Sequence, residues 1–280
     1  MSLTQIVEES NSKKFLKQYL NKPKMEAIAN SVEPTTTRNS RIGVAFDYAF
    51  RFGLKHRLGD KTNSRSDLVA ESSVHIVVKE KYPENYQRFS DKLENAIFWM
   101  ESSEINDSEE GRLAAKAAFE LADLEPIFRT KMLFPFPEIT ETEVEELIAL
   151  YSLIDFEIFE NTEEIFLNPA FGDGSRKVGG ADADIIVDDM IIDIKTTKHP
   201  KFTPEMLRQL VGYSLLANKF GVITENGDCA PHKITKMAVY FSRAGKFFMM
   251  NLDDCVNRED QQTVLDFILN HDFSRDGIEI

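Results

Sequence analysis

The spacing of apolar residues divides the chain into two regimes. Up to about residue 160 they recur every three or four positions, over Thr4 to Leu20, Arg41 to Leu58, Tyr86 to Met100, Gly111 to Phe128 and Thr142 to Phe159, which predicts amphipathic helices. Thr140 or Thr142, with Glu143 or Glu145 three residues on, supplies a capping box for the last of these. Beyond Asn161 the pattern tightens. "EIFLNP" predicts a short strand, "AFGDGSRK" a Gly-rich loop, and "ADIIVDDMIIDIK" two strands joined at Asp188-Asp189. A helix is predicted from Thr203 to Phe220, with Pro204 in its first turn and Gly221 as its stop. "KITKMAVYFS" and "KFFMMNL" predict a hairpin closed by "RAG", and a last helix runs from Glu259 to Asn270.

Strand alternation then places the acids. With the turn centred between Asp188 and Asp189, Val187 faces Met190, and counting outward sets Asp184 opposite Asp193. Lys195 shares that face, as does Asp182 one pleat further out, while Ile192 and Ile194 point the other way. Facing carboxylates repel, so the arrangement needs a reason. A hard divalent cation, Mg²⁺ or Mn²⁺, is one, since it takes oxygen ligands and leaves room for waters and a phosphate. The competing reading is that Asp182 and Asp184 are edge-strand charges paired with Lys195.

Length and composition fit this picture. The 280 residues, 42% of them hydrophobic, suffice for one large domain with a buried core, read as residues 1–280 with a helical insertion at 61–159 and a sheet-containing core at 160–255. The sequence has no apolar run long enough to span a bilayer and no secretory leader, which together predict a cytoplasmic protein without a membrane partner. Cys229 and Cys255 are too few for a disulfide framework or a four-cysteine metal site, and Cys229-Ala-Pro-His232 lacks a second ligand pair. A net charge of −14 speaks against a general nucleic-acid coat. The charge is segregated, however: Arg38 to Arg65 is basic, and Glu138 to Glu164 holds no Lys or Arg.

The residues Gly-Gly-Ala-Asp-Ala-Asp184, Asp193-Ile-Lys195 and Gln209-Leu-Val-Gly-Tyr213, in this order of elements, resemble the PD-(D/E)XK nuclease superfamily, in its RecB-like branch with a Q-x-x-x-Y helix. The resemblance spans about residues 164–252 plus one upstream helix. It implies a restriction-endonuclease-like α/β core, a mixed central sheet flanked by helices, joined here to a helical N-terminal region. It also implies Asp184 and Asp193 as metal ligands, Lys195 as the lysine that orients or helps deprotonate water, and Gln209 and Tyr213 as residues turned toward the site. Gly43-Val-Ala-Phe-Asp47 matches the branch's G-x-x-x-H helix with Asp for His, which makes Asp47 a candidate ligand. Ala183 stands where the family has proline, so Asp182 remains an alternative to Asp184. The cysteines of cluster-bearing relatives are absent, and without a G-x-x-x-x-G-K-[ST] loop an ATP-driven motor would have to be a partner.

The expected activity is Mg²⁺- or Mn²⁺-dependent hydrolysis of DNA, with RNA also open and exonuclease action in repair, mobile-element or phage-defence biology as the setting. Arg41, Lys198, Lys201, Arg208 and Arg243 are the expected phosphate contacts, and Phe202 is available for stacking. Two other readings stand beside it. One is a non-catalytic nuclease-fold module that binds nucleic acid, a protein partner or a second copy of itself; the other is a hydrolase of small phosphodiesters.

Overall fold

The computed structural model describes residues 2–64, 68–224 and 226–270. Its strands are β1 (Thr62–Ser64), β2 (Ile165–Leu167), β3 (Ile185–Val187), β4 (Met190–Lys195), β5 (Val222–Ile223), β6 (Cys229–Ala230), β7 (Lys236–Phe241) and β8 (Lys246–Asn251). The early helices are α1 (Leu3–Glu8), α2 (Ser10–Leu16), α3 (Asn39–Leu58), α4 (Val69–Ser72), α5 (Lys79–Lys81), α6 (Tyr86–Ser102), α7 (Glu109–Thr130) and α8 (Glu141–Tyr151). The later ones are α9 (Asp173–Lys177), α10 (Pro204–Phe220), α11 (Leu252–Cys255) and α12 (Arg258–Leu269).

Six strands form one mixed sheet in the order β1-β2-β3-β4-β7-β8, and β5 pairs with β6 separately. The run β2, β3, β4 is antiparallel, β4 and β7 are parallel, and β7 and β8 close a hairpin. A parallel pair needs a crossover, and α10 lies between β4 and β7 in the chain. The fold is therefore α/β with a mixed six-stranded sheet.

Alternation along the strands divides the core in two. Ile165, Leu167, Ile185, Val187, Ile192, Ile194, Ala238 and Tyr240 belong to one apolar cluster, shared with α3, α6, α7 and α8. Phe166, Ile186, Ile191, Met237, Val239 and Phe241 belong to the other, shared with α1, α10 and α12. Both faces are thus buried, which is why these strands read as near-continuous apolar runs. The helices facing them start and stop on local chemistry. The Thr203 hydroxyl accepts the Met206 N–H at 3.2 Å at the start of α10, and Gly221 ends it at φ +78°. Thr140 and Glu143 form the capping box of α8.

Several expected boundaries move. The helix predicted over Thr4 to Leu20 is two helices, broken at an extended Glu9 just before Ser10, Asn11 and Ser12, residues that compete with the helical backbone. The one predicted over Thr142 to Phe159 ends at Tyr151, and the Asp155 carboxylate then caps a separate 3-10 turn, Phe156–Phe159, by accepting the Glu157 N–H at 3.1 Å. The Gly-rich loop contains α9. The stretch 61–159 is not wholly helical, because β1 leaves it to pair in parallel with β2. Between α4 and α5, residues Ser73–Val78 wind as a π-helix. Their Val and Ile residues favour strands, but Val74, Val77 and Val78 are buried in the helical layer, so packing overrides propensity.

The segment 21–38, without regular structure, is fastened along its length. The Asn21 N–H donates to the Cys255 carbonyl at 2.8 Å, and those of Ser31 and Val32 donate to the Arg243 carbonyl at 2.7 and 3.0 Å. Farther on, the N–H groups of Thr35 and Thr36 donate to Glu146 Oε2 at 2.8 and 2.9 Å.

Candidate active site

The β3–β4 hairpin holds the centre of the site. Val187 pairs with Met190, Ile186 with Ile191 and Ile185 with Ile192, the register predicted from a two-residue turn. Asp188 adopts the left-handed conformation there, at φ +49°, and its Oδ1 accepts the N–H groups of Glu163 and Glu164 at 2.9 and 3.1 Å. Asp189 takes the Thr235 hydroxyl and the Lys236 ammonium. The turn acids are therefore committed to structure.

One step beyond the paired residues, Asp184 lies across from Asp193, and its Oδ2 accepts the Ile194 N–H at 2.6 Å. This bond clips the start of β3 to the end of β4. Asp193 is 4% exposed. Lys195 Nζ lies 2.7 Å from both Asp193 oxygens, hydrogen-bonding Oδ1 and ion-paired with the buried Oδ2. Burial pushes the Asp193 carboxyl up to about 6; Lys195 opposes the rise and the Asp184 charge reinforces it. Burial alone would lower the Lys195 ammonium, but Asp193 and Asp184 outweigh it and hold the group above its ordinary value. Lys195 is therefore a fixed cation at neutral pH.

Helix α3 closes the site from the other layer. A methyl added at Gly43 would sit 3.7 Å from Thr196 Cβ, so the helix crosses where β4 runs out. One turn on, Asp47 pairs through Oδ2 with Arg51, and its Oδ1 is buried without a partner. Burial raises the Asp47 carboxyl to about 7; Arg51 opposes this, and the charges of Asp184 and Glu125 add to it. From α10, Gln209 Nε2 donates to the Tyr213 hydroxyl at 3.0 Å and to Thr4 Oγ1 at 3.4 Å. Burial lifts the Tyr213 hydroxyl above its usual value, and Asp184 and Asp193 add to that rise against its hydrogen bonds.

Asp47, Asp184, Asp193, Lys195, Gln209 and Tyr213 thus converge on one place. Asp182 is different: exposed and bridged to Ala170, it is not among the strongest charges on Asp47 or Asp193. The distribution of basic residues needs three corrections. The Arg41 guanidinium is bound by both oxygens of Asp123 at 2.8 Å and by Glu143 at 2.9 Å, so it is buried between helices. Arg243 is 1% exposed and pairs with Glu146. Arg208 is largely covered and held by Glu8. All three are consumed by internal carboxylates, whereas Lys198 and Lys201 stay exposed on the loop after β4. Phe202 is also buried, under Lys22, and offers no stacking surface.

Sequence reasoning passed over Glu125 and Glu205, and it reads Arg51 as a phosphate contact flanking the Asp47 helix, whereas Arg51 is buried and paired with Asp47. Arg51 and Glu125 are each 7% exposed, and Glu205 in the first turn of α10 adds its charge to Asp193. Glu125 had a signal: it interrupts the apolar run Leu121, Leu124, Ile127 on α7, and a buried acid is rarely placed without a charged partner.

The donor set suits a hard cation. Carboxylate oxygens face the site from two layers, and Asp47 Oδ1 is buried without a hydrogen bond, a costly state that a cation would relieve. As the side chains stand, however, no three His, Cys, Asp or Glu residues among those described are close enough together to hold a metal ion. Arg51 and Lys195 occupy the positive side of Asp47 and Asp193 instead. Cys229 and His232 bond the Phe220 and Asp188 carbonyls, respectively. No helix among the described residues is long and apolar enough to cross a membrane.

Set against known proteins, the chain matches no family model, no curated protein and no solved structure.

Proposed function

We propose that the protein is a Mg²⁺- or Mn²⁺-dependent nuclease that hydrolyses DNA phosphodiester bonds. The observation that carries the reading is Lys195 held charged 2.7 Å from Asp193, with Asp184 clipped across the same hairpin. The order α3, β2, β3, β4, α10, β7, with β4 and β7 parallel, agrees with the restriction-endonuclease-like core that the motif resemblance implies. The charge of Asp184 acting on both Asp47 and Asp193 supports those three acids as the ligand set.

When bound, a divalent cation would neutralise the carboxylates, acidify a water and stabilise charge developing on the phosphate. The chain's own groups have separable tasks. Asp184, Asp193 and Asp47 would hold the cation, and Asp184 keeps its position through the Ile194 N–H. Lys195, held protonated, orients the attacking water and stabilises a phosphate oxygen rather than accepting a proton. The water oxygen bonds to phosphorus as its proton passes to solvent, the bond from phosphorus to the leaving sugar oxygen breaks, and that oxygen takes up a proton from solvent. Gln209 steadies the Tyr213 hydroxyl beside the acids. Lys198 and Lys201 contact the backbone beyond the scissile bond.

The test is degradation of linear DNA with Mg²⁺ or Mn²⁺ by wild type, Asp193→Ala and Lys195→Ala. Activity confined to wild type is expected; equal activity in all three, or none with either metal, would overturn the reading. The ion pairs that occupy Asp47 and Asp193 favour a second reading, a non-catalytic module that binds nucleic acid or a protein partner. It predicts no metal-dependent cleavage.

A further inference from the structure

Helix α7 carries Glu125, one of the charges acting on Asp47 in the site. Phe128 follows three residues later, on the same side of the helix. Lys131 ends the helix in the left-handed conformation, at φ +57°. Glu125 and Lys131 are thus separated by about 9 Å along the helix axis.

From Lys131 onward the surface changes character. The Lys131 ammonium lies 3.9 Å from the centre of the Phe128 ring, and the Tyr82 hydroxyl donates to the Lys131 carbonyl at 3.1 Å. That bond ties this stretch to the residue that follows α5. Farther along, Arg88 lies 6.0 Å from the Phe136 ring, and Lys79 lies 5.7 Å from that of Tyr86. Between them Met132 is 57% and Phe134 42% exposed. Among the described residues, Lys79, Arg88 and Lys131 are in no ion pair. This contrasts with Arg41, Arg208 and Arg243, all three of which are spent on internal acids. On a chain of net charge −14, unpaired cations seated beside aromatic rings suit a ligand that is both anionic and planar. Stacked bases on a phosphate backbone have both properties, and single strands are bound by this combination.

We propose that the surface running from Lys79 past Lys131 to Phe134 binds single-stranded nucleic acid and leads it along α7 to the site. Phe134 stacks against a base, and Lys79, Arg88 and Lys131 contact successive phosphates. The direction of the path rests on the nuclease reading, but the binding surface does not.

The experiment is fluorescence anisotropy of a labelled oligothymidylate of about 20 nucleotides with the full chain, in EDTA, over about 50 to 200 mM salt. Wild type is compared with Phe134→Ala and with the triple variant Lys79→Ala, Arg88→Ala, Lys131→Ala. Phe134→Ala is expected to weaken binding about tenfold. The triple variant should lower the slope of log affinity against log salt by roughly 2, at about 0.7 per phosphate contact on a single strand. The variant positions are on the surface, and circular dichroism melts matching wild type would confirm folding.

Wild-type affinity and salt slope in both folded surface variants would overturn the proposal. So would equal competition by polyglutamate with no effect of Phe134→Ala, which would point to an acidic protein segment as the occupant. Surface-dependent binding without cleavage in Mn²⁺ would sink the nuclease reading alone. Wild-type cleavage with unchanged affinity in the surface variants would sink the surface alone.

Discussion

Lys195 and Asp193 stand two residues apart on one strand, with Lys195 Nζ 2.7 Å from Asp193 Oδ1; Asp193 helps hold Lys195 charged, and Lys195 opposes the rise that burial imposes on Asp193. On the nuclease reading, losing the Lys195 ammonium removes the group proposed to face the reacting phosphate. Lys195→Ala is expected to lower the cleavage rate by roughly 10²- to 10³-fold, with a smaller loss for Lys195→Arg. Single-turnover assays on a linear duplex in Mn²⁺ measure both, and a Lys195→Ala rate within threefold of wild type would refute the role.

The acids of the site should make metal-free stability fall with rising pH. Asp193 and Asp47 are raised to about 6 and about 7, so their ionised forms are disfavoured in the fold. Stability is then lost as pH climbs from the ordinary Asp range near roughly 4 through those values. Glu143 and Glu146 have the opposite sign. Burial alone would raise both; for Glu143 the Thr140 backbone and Arg41 outweigh it, and for Glu146 Thr35 and Arg243 do, leaving both lowered. Their contribution is present above the ordinary Glu range and fades as pH falls below roughly 4. Melting temperature in EDTA should therefore peak near about pH 5. Added Mn²⁺ should flatten the neutral side of the curve, because the cation favours the ionised acids. A metal-free curve that rises steadily from pH 5 to 8 would contradict the site electrostatics.

Arg41 and Lys201 should separate stability from binding. Removing the Arg41 guanidinium strands Asp123 and Glu143 in a buried setting, a cost of roughly 3–5 kcal/mol. Lys201 is exposed, so Lys201→Ala should leave denaturant unfolding unchanged and reduce the salt slope of duplex binding by roughly 0.9. Urea titrations and binding isotherms on both variants make the comparison.

Glu146→Ala tests how the segment 21–38 is held. Its Oε2 accepts the Thr35 and Thr36 N–H groups, and its Oε1 pairs with Arg243. The substitution releases the segment and leaves a buried guanidinium uncompensated. A loss of roughly 3–5 kcal/mol is expected, with faster proteolysis within residues 21–38 that Glu146→Gln reproduces only in part.

The hairpin was legible because its information is local. A two-residue turn and a period of two fix which residues face each other, so Asp184, Asp193 and Lys195 could be placed by counting from Asp188 and Asp189. The helix pair Gln209 and Tyr213 was legible for the same reason, being one turn apart. What failed was the assignment of cations to solvent. Arg41, Arg208 and Arg243 look like any basic residue in sequence, and their partners Asp123, Glu8 and Glu146 lie far along the chain. Glu125 escaped similarly, because its proximity to Asp47 depends on packing between α3 and α7, whereas Arg51 is one turn from Asp47 on α3 and pairs with it rather than with phosphate. The π-helix over Ser73–Val78 was hidden by its own β-branched composition.

The Gly43–Asp47 turn of α3 belongs to one layer and the Asp184 clip to the other, so the site has two assembly times. The hairpin pair can form as soon as β3 and β4 meet, on the microsecond scale of a local turn. Asp47 arrives only after α3 has docked, a non-local event that carries the cost of closing a long loop. On the nuclease reading, strand content should therefore recover ahead of cleavage activity in a refolding reaction, with the return of activity marking the moment when the two halves of the core have met.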